Sequence, residues 1–254
     1  EKLGSINAAA ELPVDNPRPA VRTFTGSRYT GTINYDLLNS LRELSKKNSS
    51  TFFTTMLSGF ILLINKLTGS KDIVTGIPAA GQQVVGAHDL VGHCTNLLPL
   101  RFIVEGEKTF LQLLSEARII VLEAYENQQV SYGDIISKLK LQRDPGRIPL
   151  ISTMFNIDPA IMGLKFADLS CEMTANPRTG YQFELGFNLV NHEQNCLVEC
   201  DYNTALFSEQ TIIKFIQYYI KVLEQVTRDP EIKIKDITIL SSMDVSDLMN
   251  LINN

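Results

Sequence analysis

The sequence is poor in the groups on which most catalysis depends. It has three histidines, His88, His93 and His192, in 254 residues. No two have the spacing of metal ligands and the carboxylates are scattered, so a metal site is not expected. Neither GxGxxG nor GK[ST] occurs, which argues against a nucleotide loop although Gly76, Gly81, Gly86 and Gly92 crowd one segment. There is no basic run, and 23 Lys+Arg stand against 28 Asp+Glu for a net charge of -5. A phosphate backbone would find no electrostatic footprint, so nucleic acid is not an expected partner.

Long apolar runs are missing too. The longest, Phe52 to Leu67, is interrupted by Thr54, Thr55, Ser58, Gly59 and Asn65 and is shorter than the roughly 20 residues of a membrane span. It reads as a buried helix, and no membrane association is expected. No apolar h-region with a basic flank opens the chain, so a signal peptide is not expected, and Glu1 in place of Met suggests a piece of something longer. The cysteines Cys94, Cys171, Cys196 and Cys200 show no CxxC spacing. On a strand, Cys196 and Cys200 would share a face about 13 Å apart, too far for a disulfide. Reduced, buried thiols and a cytoplasmic location are the expectation.

With 44% hydrophobic and 20% charged residues, the composition is that of an ordinary globular chain. Residues 1–28 are rich in Pro and Ala without apolar periodicity and read as an extended linker. The folded body is expected over 29–240, with 241–254 a tail. A short strand over Tyr29 to Ile33 precedes two helices, Asp36 to Lys46 and Phe52 to Leu67, the second ended by Gly69. Asp72 to Ile77 reads as a buried strand, and the apolar second half of LVGHCTNLLPLRF as another. Thr109 to Gln128 is a helix with capping-box spacing of Thr109 and Gln112. Ser131 to Leu139 is a shorter helix, and Ile151 to Ile157 a strand ended at Asp158-Pro159. Phe183 to Leu189 and Cys196 to Tyr202 alternate in polarity about NHEQN, the pattern of an antiparallel hairpin. Phe207 and Ile212 bracket Ser208 at staple spacing and open the last helix; the residues after Arg228 read as a tail of Pro and short apolar pairs. Strands alternating with helices argue for an α/β layer with a mixed sheet.

Candidate chemistry is thin. His192 falls in the hairpin turn. His88 with Asp89, and His93 with Cys94, are neighbours that a strand would point to opposite faces, which disfavours a relay or a base and nucleophile pair. Arg143, Asp144 and Arg147 form a compact charged group before a strand and read as a structural clamp.

Several strings, in order along the chain, resemble the condensation domains of nonribosomal peptide synthetases: ELPVDNPRPAVRTFTGSRY, TTMLSGFILLINKLTGSKDIVTGIPAAGQ, LVGHCTNLLPLR, AYENQQVSYGDII, RDPGRIPL, and FELGFNLV with LVECDYNTALFSEQTI. In AYENQQVSYGDII, Asn127 stands where the family's HQDxPFE motif has His, and Ser131-Tyr132 where it has Pro-Phe. The resemblance implies an α/β, chloramphenicol-acetyltransferase-like lobe with a mixed, mostly antiparallel sheet flanked by helices. It implies the carboxy-terminal lobe, whose partners would be the amino-terminal lobe and the donor and acceptor peptidyl carrier proteins. Substrates would ride on the carriers' phosphopantetheine, with no cofactor bound directly, in antibiotic or other secondary-metabolite synthesis.

The family's catalytic HHxxxDG is absent from this sequence, so no catalytic residue is assigned. Gly92, His93, Asn96 and Asn156 are implied as tunnel or motif residues, Gly81 to Leu90 as the tunnel floor, and Asp158 to Tyr181 as the segment that latches onto the other lobe. Three readings stay open: half of an active condensation domain, a lobe that only binds carriers or tethers modules, and a standalone acyltransferase using His93.

Overall fold

The computed structural model describes residues 3–4, 10–81, 86, 89–139, 141, 144–161, 167, 169 and 175–240. Six strands form one mixed sheet: β1 (Gly26–Ile33), β2 (Asp72–Ala80), β3 (Thr95–Ile103), β4 (Thr153–Pro159), β5 (Leu185–Asn191) and β6 (Cys196–Asn203), in the order β1-β6-β5-β4-β2-β3. The β1/β6, β6/β5 and β2/β3 pairs are antiparallel, and β5/β4 and β4/β2 parallel. The helices are α1 (Tyr35–Lys47), α2 (Phe52–Thr68), α3 (Phe110–Glu126), α4 (Tyr132–Leu139) and α5 (Glu209–Arg228). Side chains set their ends. Asn34, Thr51 and Ser208 each accept from a backbone N–H three residues on, Thr109 and Gln112 close the expected capping box, and Gly69 ends α2 at φ 68°.

Strand alternation gives the sheet two unlike faces. Helices α1, α2, α3 and α5 cover one, and the core between is stacked with aromatics. Phe60 lies 5.3 Å from Phe155 and 5.1 Å from Phe187, and Phe187 meets Tyr219 edge-on at 5.3 Å. The Tyr219 hydroxyl donates to the Met56 carbonyl at 2.9 Å, so the one polar atom in this stack is satisfied. Helix α4 lies on the other face with a smaller apolar cluster of Val74, Leu150 and Ile151. No single helix among the described residues is long and apolar enough to cross a membrane.

Three segments differ from expectation. Residues 10–25 are extended but packed: Ala10 and Leu12 are buried, Arg18 makes a two-pronged pair with Glu184 at 2.6 and 3.1 Å, and the Asp15 carboxylate caps α5 through Ser208 and Thr211. Their lack of periodicity reflects a segment that follows the surface of the body rather than one free of it. Strand β4 runs through Asp158-Pro159 instead of ending there. Its pairing with β5 continues to Pro159↔Asn191, and on its other side β2 is no longer paired, so the missing proline N–H leaves no gap. After Arg228 the chain is not a loose tail. Ile234 and Ile237 are buried, and Lys66 donates to the Ile234 carbonyl at 2.6 Å.

Candidate functional site

Parallel neighbours β2 and β4 pair only at Thr75↔Thr153 and Gly76↔Met154, although both continue well past that point. From β2 the chain turns to β3 on one side, while β4 is followed by β5 on the other. This is a topological switch point, where open α/β sheets bind ligands in the crevice beyond the strands' carboxyl ends.

Residues singled out in the sequence gather at this end. The start of β3 pairs with the end of β2, Thr95↔Ala80, so Gly92 and His93 lie just beyond the strand ends, both exposed. His93 makes no hydrogen bond or ion pair among the described residues, and nothing joins it to Cys94. Gly81 donates to the Cys94 carbonyl at 2.9 Å, and a Cβ there would lie 2.3 Å from that oxygen, so only glycine closes this hairpin base. Asn96 is a backbone anchor. Its Nδ2 donates to the Gln128 and Val130 carbonyls at 2.8 Å each, and its Oδ1 accepts from Tyr132 N at 3.3 Å. It thereby holds the passage by which the chain leaves α3 on the core face and reaches α4 on the other. His88 and much of the implied floor and latch segments lie outside the described residues.

A row of directly opposed side chains crosses four strands on the face away from the core: Asn156, Asn188, Glu199 and Thr30. Asn156 Nδ2 donates to Asn188 Oδ1 and to Asp158 Oδ1, both at 3.0 Å; Asn188 Nδ2 donates to Glu199 Oε2 at 3.0 Å. At the buried end Arg28 bonds Asp201 through two nitrogens at 2.6 and 2.9 Å and Glu199 at 2.7 Å. Arg178 adds a third contact to Asp201 at 3.1 Å. The hydrogen bond to Asp201 raises the Arg28 pKa further. Beside this group Tyr181 packs onto Gly186, where any Cβ would overlap its hydroxyl. Burial pushes its phenol pKa up, with Asp201 adding to the effect.

Asn156 was named from the sequence; Arg28, Asn188, Glu199 and Asp201 were not. Alternation along the hairpin placed the last three on its polar face, but their partners depend on register across strands far apart in sequence.

The clamp reading needs correction in extent. Asp144 and Arg147 do approach, Oδ2 to Nε 3.4 Å, and Asp144 Oδ1 accepts from Gly146 N at 2.8 Å. The shortest contact of Arg147, however, is to Glu11 at 2.6 Å, so the loop is tied to the amino-terminal segment. Arg143 lies outside the described residues. The loop ends in Leu150 at φ 69°, a left-handed conformation costing about 1–3 kcal/mol for a bulky residue. Burial against Val74 and Ile151 holds it there. The Tyr132 hydroxyl donates to the Pro149 carbonyl, and burial raises its pKa to about 12. Between α4 and this loop lies an open cleft of about 610 Å³, bordered by Arg22, Ile136, Leu141 and Arg147.

Among the described residues no three His, Cys, Asp or Glu side chains are placed to hold a metal ion. Burial drives the thiols of Cys196, to about 12, and Cys200 upward, away from nucleophilic use. What the described residues offer here is a row of oriented hydrogen-bonding groups beside the point where β2 and β4 part.

The chain is similar to known proteins of one family. The family model described as "Condensation domain" matches residues 1–249. Tyrocidine synthase 2 of Brevibacillus parabrevis is 30% identical over 257 residues, covering 99% of this chain and 7% of that protein. Gramicidin S synthase 2 of Brevibacillus brevis is 29% identical over 242 residues, covering 94% and 5%. The chain therefore spans less than a tenth of the length of these relatives. Among solved structures, the X-domain in the complex of the X-domain and OxyB from teicoplanin biosynthesis superposes with a TM-score of 0.84 at 21% identity, over 94% of this chain and 54% of that one. A four-domain nonribosomal peptide synthetase bound to AMP and glycine gives 0.82 at 21% identity, over 93% and 19%.

Proposed function

The chain belongs to the condensation-domain family, and on that basis we propose that it is the carboxy-terminal half of a nonribosomal peptide synthetase condensation domain. In the whole domain it would help join a donor acyl or peptidyl thioester to an acceptor aminoacyl thioester, forming an amide. The family match over residues 1–249 carries the proposal. The half-domain part is supported by the order of the motifs, by the lack of HHxxxDG, and by a superposition that covers 94% of this chain but 54% of the solved X-domain chain. In this reading the lobe supplies one wall of a two-lobed tunnel in a cytoplasmic synthetase. The other lobe supplies the base, and carrier proteins bring the phosphopantetheine-bound substrates.

Intact-protein mass spectrometry of an acceptor carrier tests it. Incubated with loaded donor and acceptor carriers, the chain alone yields no dipeptide, and adding a lobe that bears HHxxxDG restores product. Dipeptide formed by the chain alone overturns the division of labour. A lobe that only binds other proteins is the second reading, favoured by the X-domain relative solved in complex with OxyB. It predicts carrier binding but no product with either arrangement.

A further inference from the structure

The two edges of the sheet are built differently. Successive residues of a strand aim their backbone N–H and C=O groups alternately at one neighbour and at the other. On the β6 side of β1 the Thr25 carbonyl accepts from Thr204 N, whereas on the opposite side the Phe24 carbonyl accepts from Tyr181 N and Gly26 N donates to the Thr179 carbonyl. The alternation therefore turns the N–H and C=O groups of Arg28, Thr30 and Thr32 outward. β1 ends the strand order, and these groups make no backbone hydrogen bond on that side among the described residues. Edge strands are ordinarily blunted by proline, lysine or a bulge. The far edge, β3, carries Pro99 at its middle and Arg101 beyond it. Residues 27–33 have no such guard. They pair with β6 residue for residue, include no proline or lysine, and have one charge, Arg28, which Glu199 and Asp201 draw onto β6.

The chain's own neighbouring segment cannot cover this stretch. Residues 179–181 run antiparallel to 24–26 about the Thr25↔Gly180 bridge. Continued, that register puts Pro177 opposite Arg28, where the ladder needs an N–H that proline lacks. The open window is thus residues 27–33, bounded at one end by 179–181 and at the other by Asn34, which caps α1. Its midpoint is Thr30, and Thr30 and Thr32 are exposed. A strand that fits this window antiparallel about its midpoint is β1 of a second copy. Thr30 then meets Thr30, Arg28 meets Thr32, and Tyr29 meets Gly31. No like charges face each other, threonines pair well across strands, and Tyr29 finds no competing side chain opposite it. Gly31 cannot gain one, because a Cβ there would lie 2.6 Å from Ile216 Cγ2.

We propose that two copies of this chain associate through β1, joining their sheets into one continuous sheet about a two-fold axis at Thr30. Such pairing needs neither carrier nor substrate. Sedimentation velocity on the full chain, from low to several hundred micromolar, should show a monomer and dimer in exchange, with a midpoint in the micromolar range. Thr30→Pro removes an N–H that points away from β6, so it costs no bond within the sheet and should give a folded monomer.

Cysteine cross-linking fixes the axis. In a Cys94→Ser, Cys171→Ser background, Thr30→Cys should form a disulfide-linked dimer on mild oxidation, because directly opposed residues of this type hold their Cα atoms about 5.5 Å apart. Thr32→Cys, equally exposed, would lie about 13 Å from its counterpart and should cross-link about tenfold more slowly. A chain that stays monomeric at every concentration, or equal cross-linking at the two positions, overturns the proposal. A dimer that persists in Thr30→Pro, with circular dichroism unchanged, shows that the copies meet elsewhere and overturns it too. Should Thr30→Pro unfold, the cross-linking pair decides alone. Protection of the Arg28, Thr30 and Thr32 amides from hydrogen exchange only when an amino-terminal condensation lobe is added would assign the edge to that lobe and sink the self-pairing.

Discussion

The two faces of the sheet use the same strands and opposite chemistry. Toward the helices, Phe155, Phe187, Cys200 and Tyr202 bury apolar surface, and any well-shaped apolar residue could serve. Toward the other side, Asn156, Asn188, Glu199 and Asp201 form a chain of hydrogen bonds in which each member needs its neighbour in one orientation. Burial stabilises the first face without direction, whereas the second is stable only while every group is paired. Glu199 and Asp201 are 7% and 4% exposed, so removing one partner strands a charge instead of merely losing a contact. The second face is therefore the less forgiving of the two to substitution.

The largest expected effect is on the core face. Phe187→Ala opens a cavity between Phe60 and Tyr219 and should lower stability by about 3–5 kcal/mol, read as a drop in the urea midpoint. Arg28→Ala sharpens the comparison, because it deletes three charge-assisted contacts and leaves Glu199 without its cation and Asp201 with only the half-exposed Arg178. A loss of about 3 kcal/mol is expected, and replacing Arg28, Glu199 and Asp201 together by apolar residues should recover most of it. If the triple variant is as unstable as Arg28→Ala, stranded charge is not the cause.

Arg147→Ala should matter far less than its short contact suggests. Its partner Glu11 is 76% exposed, and an exposed pair is worth under about 1 kcal/mol. A larger shift in thermal midpoint would show that the loop ending at Leu150 depends on this tie.

Smallest of all is a pH-dependent effect at the rim. Burial opposes the charge on Asp15, but hydrogen bonds from the Ser208 backbone and the Thr211 hydroxyl outweigh it and hold the carboxyl below its ordinary 3.8. A carboxyl depressed on folding contributes stability that is fully present above its unfolded value and lost as pH falls through the folded one. Asp15→Asn should therefore melt slightly below wild type at pH 7, with the gap closing below about pH 4. A gap that does not shrink at all as pH falls below about 4 would count against the cap.

Much of this fold was legible because its elements carry strong local signals. The capping box at Thr109, the staple about Ser208, the glycine stop at Gly69, and the alternation about NHEQN mark boundaries that the tertiary structure moves by only a few residues. Residues 10–25 were illegible for the opposite reason: an extended segment that buries Ala10 and Leu12 singly leaves no period to read.

The candidate site divides along the same line. Pattern alone set Asn188, Glu199 and Asp201 on the polar side of one hairpin, because side chains alternate along a strand whatever lies beside it. That Arg28, 173 residues from Asp201, closes on them, and that Asn156 meets Asn188 where β2 and β4 diverge, was decided only in three dimensions. Strand order and register depend on the packing of the whole sheet against its helices, and no local window of sequence contains that information.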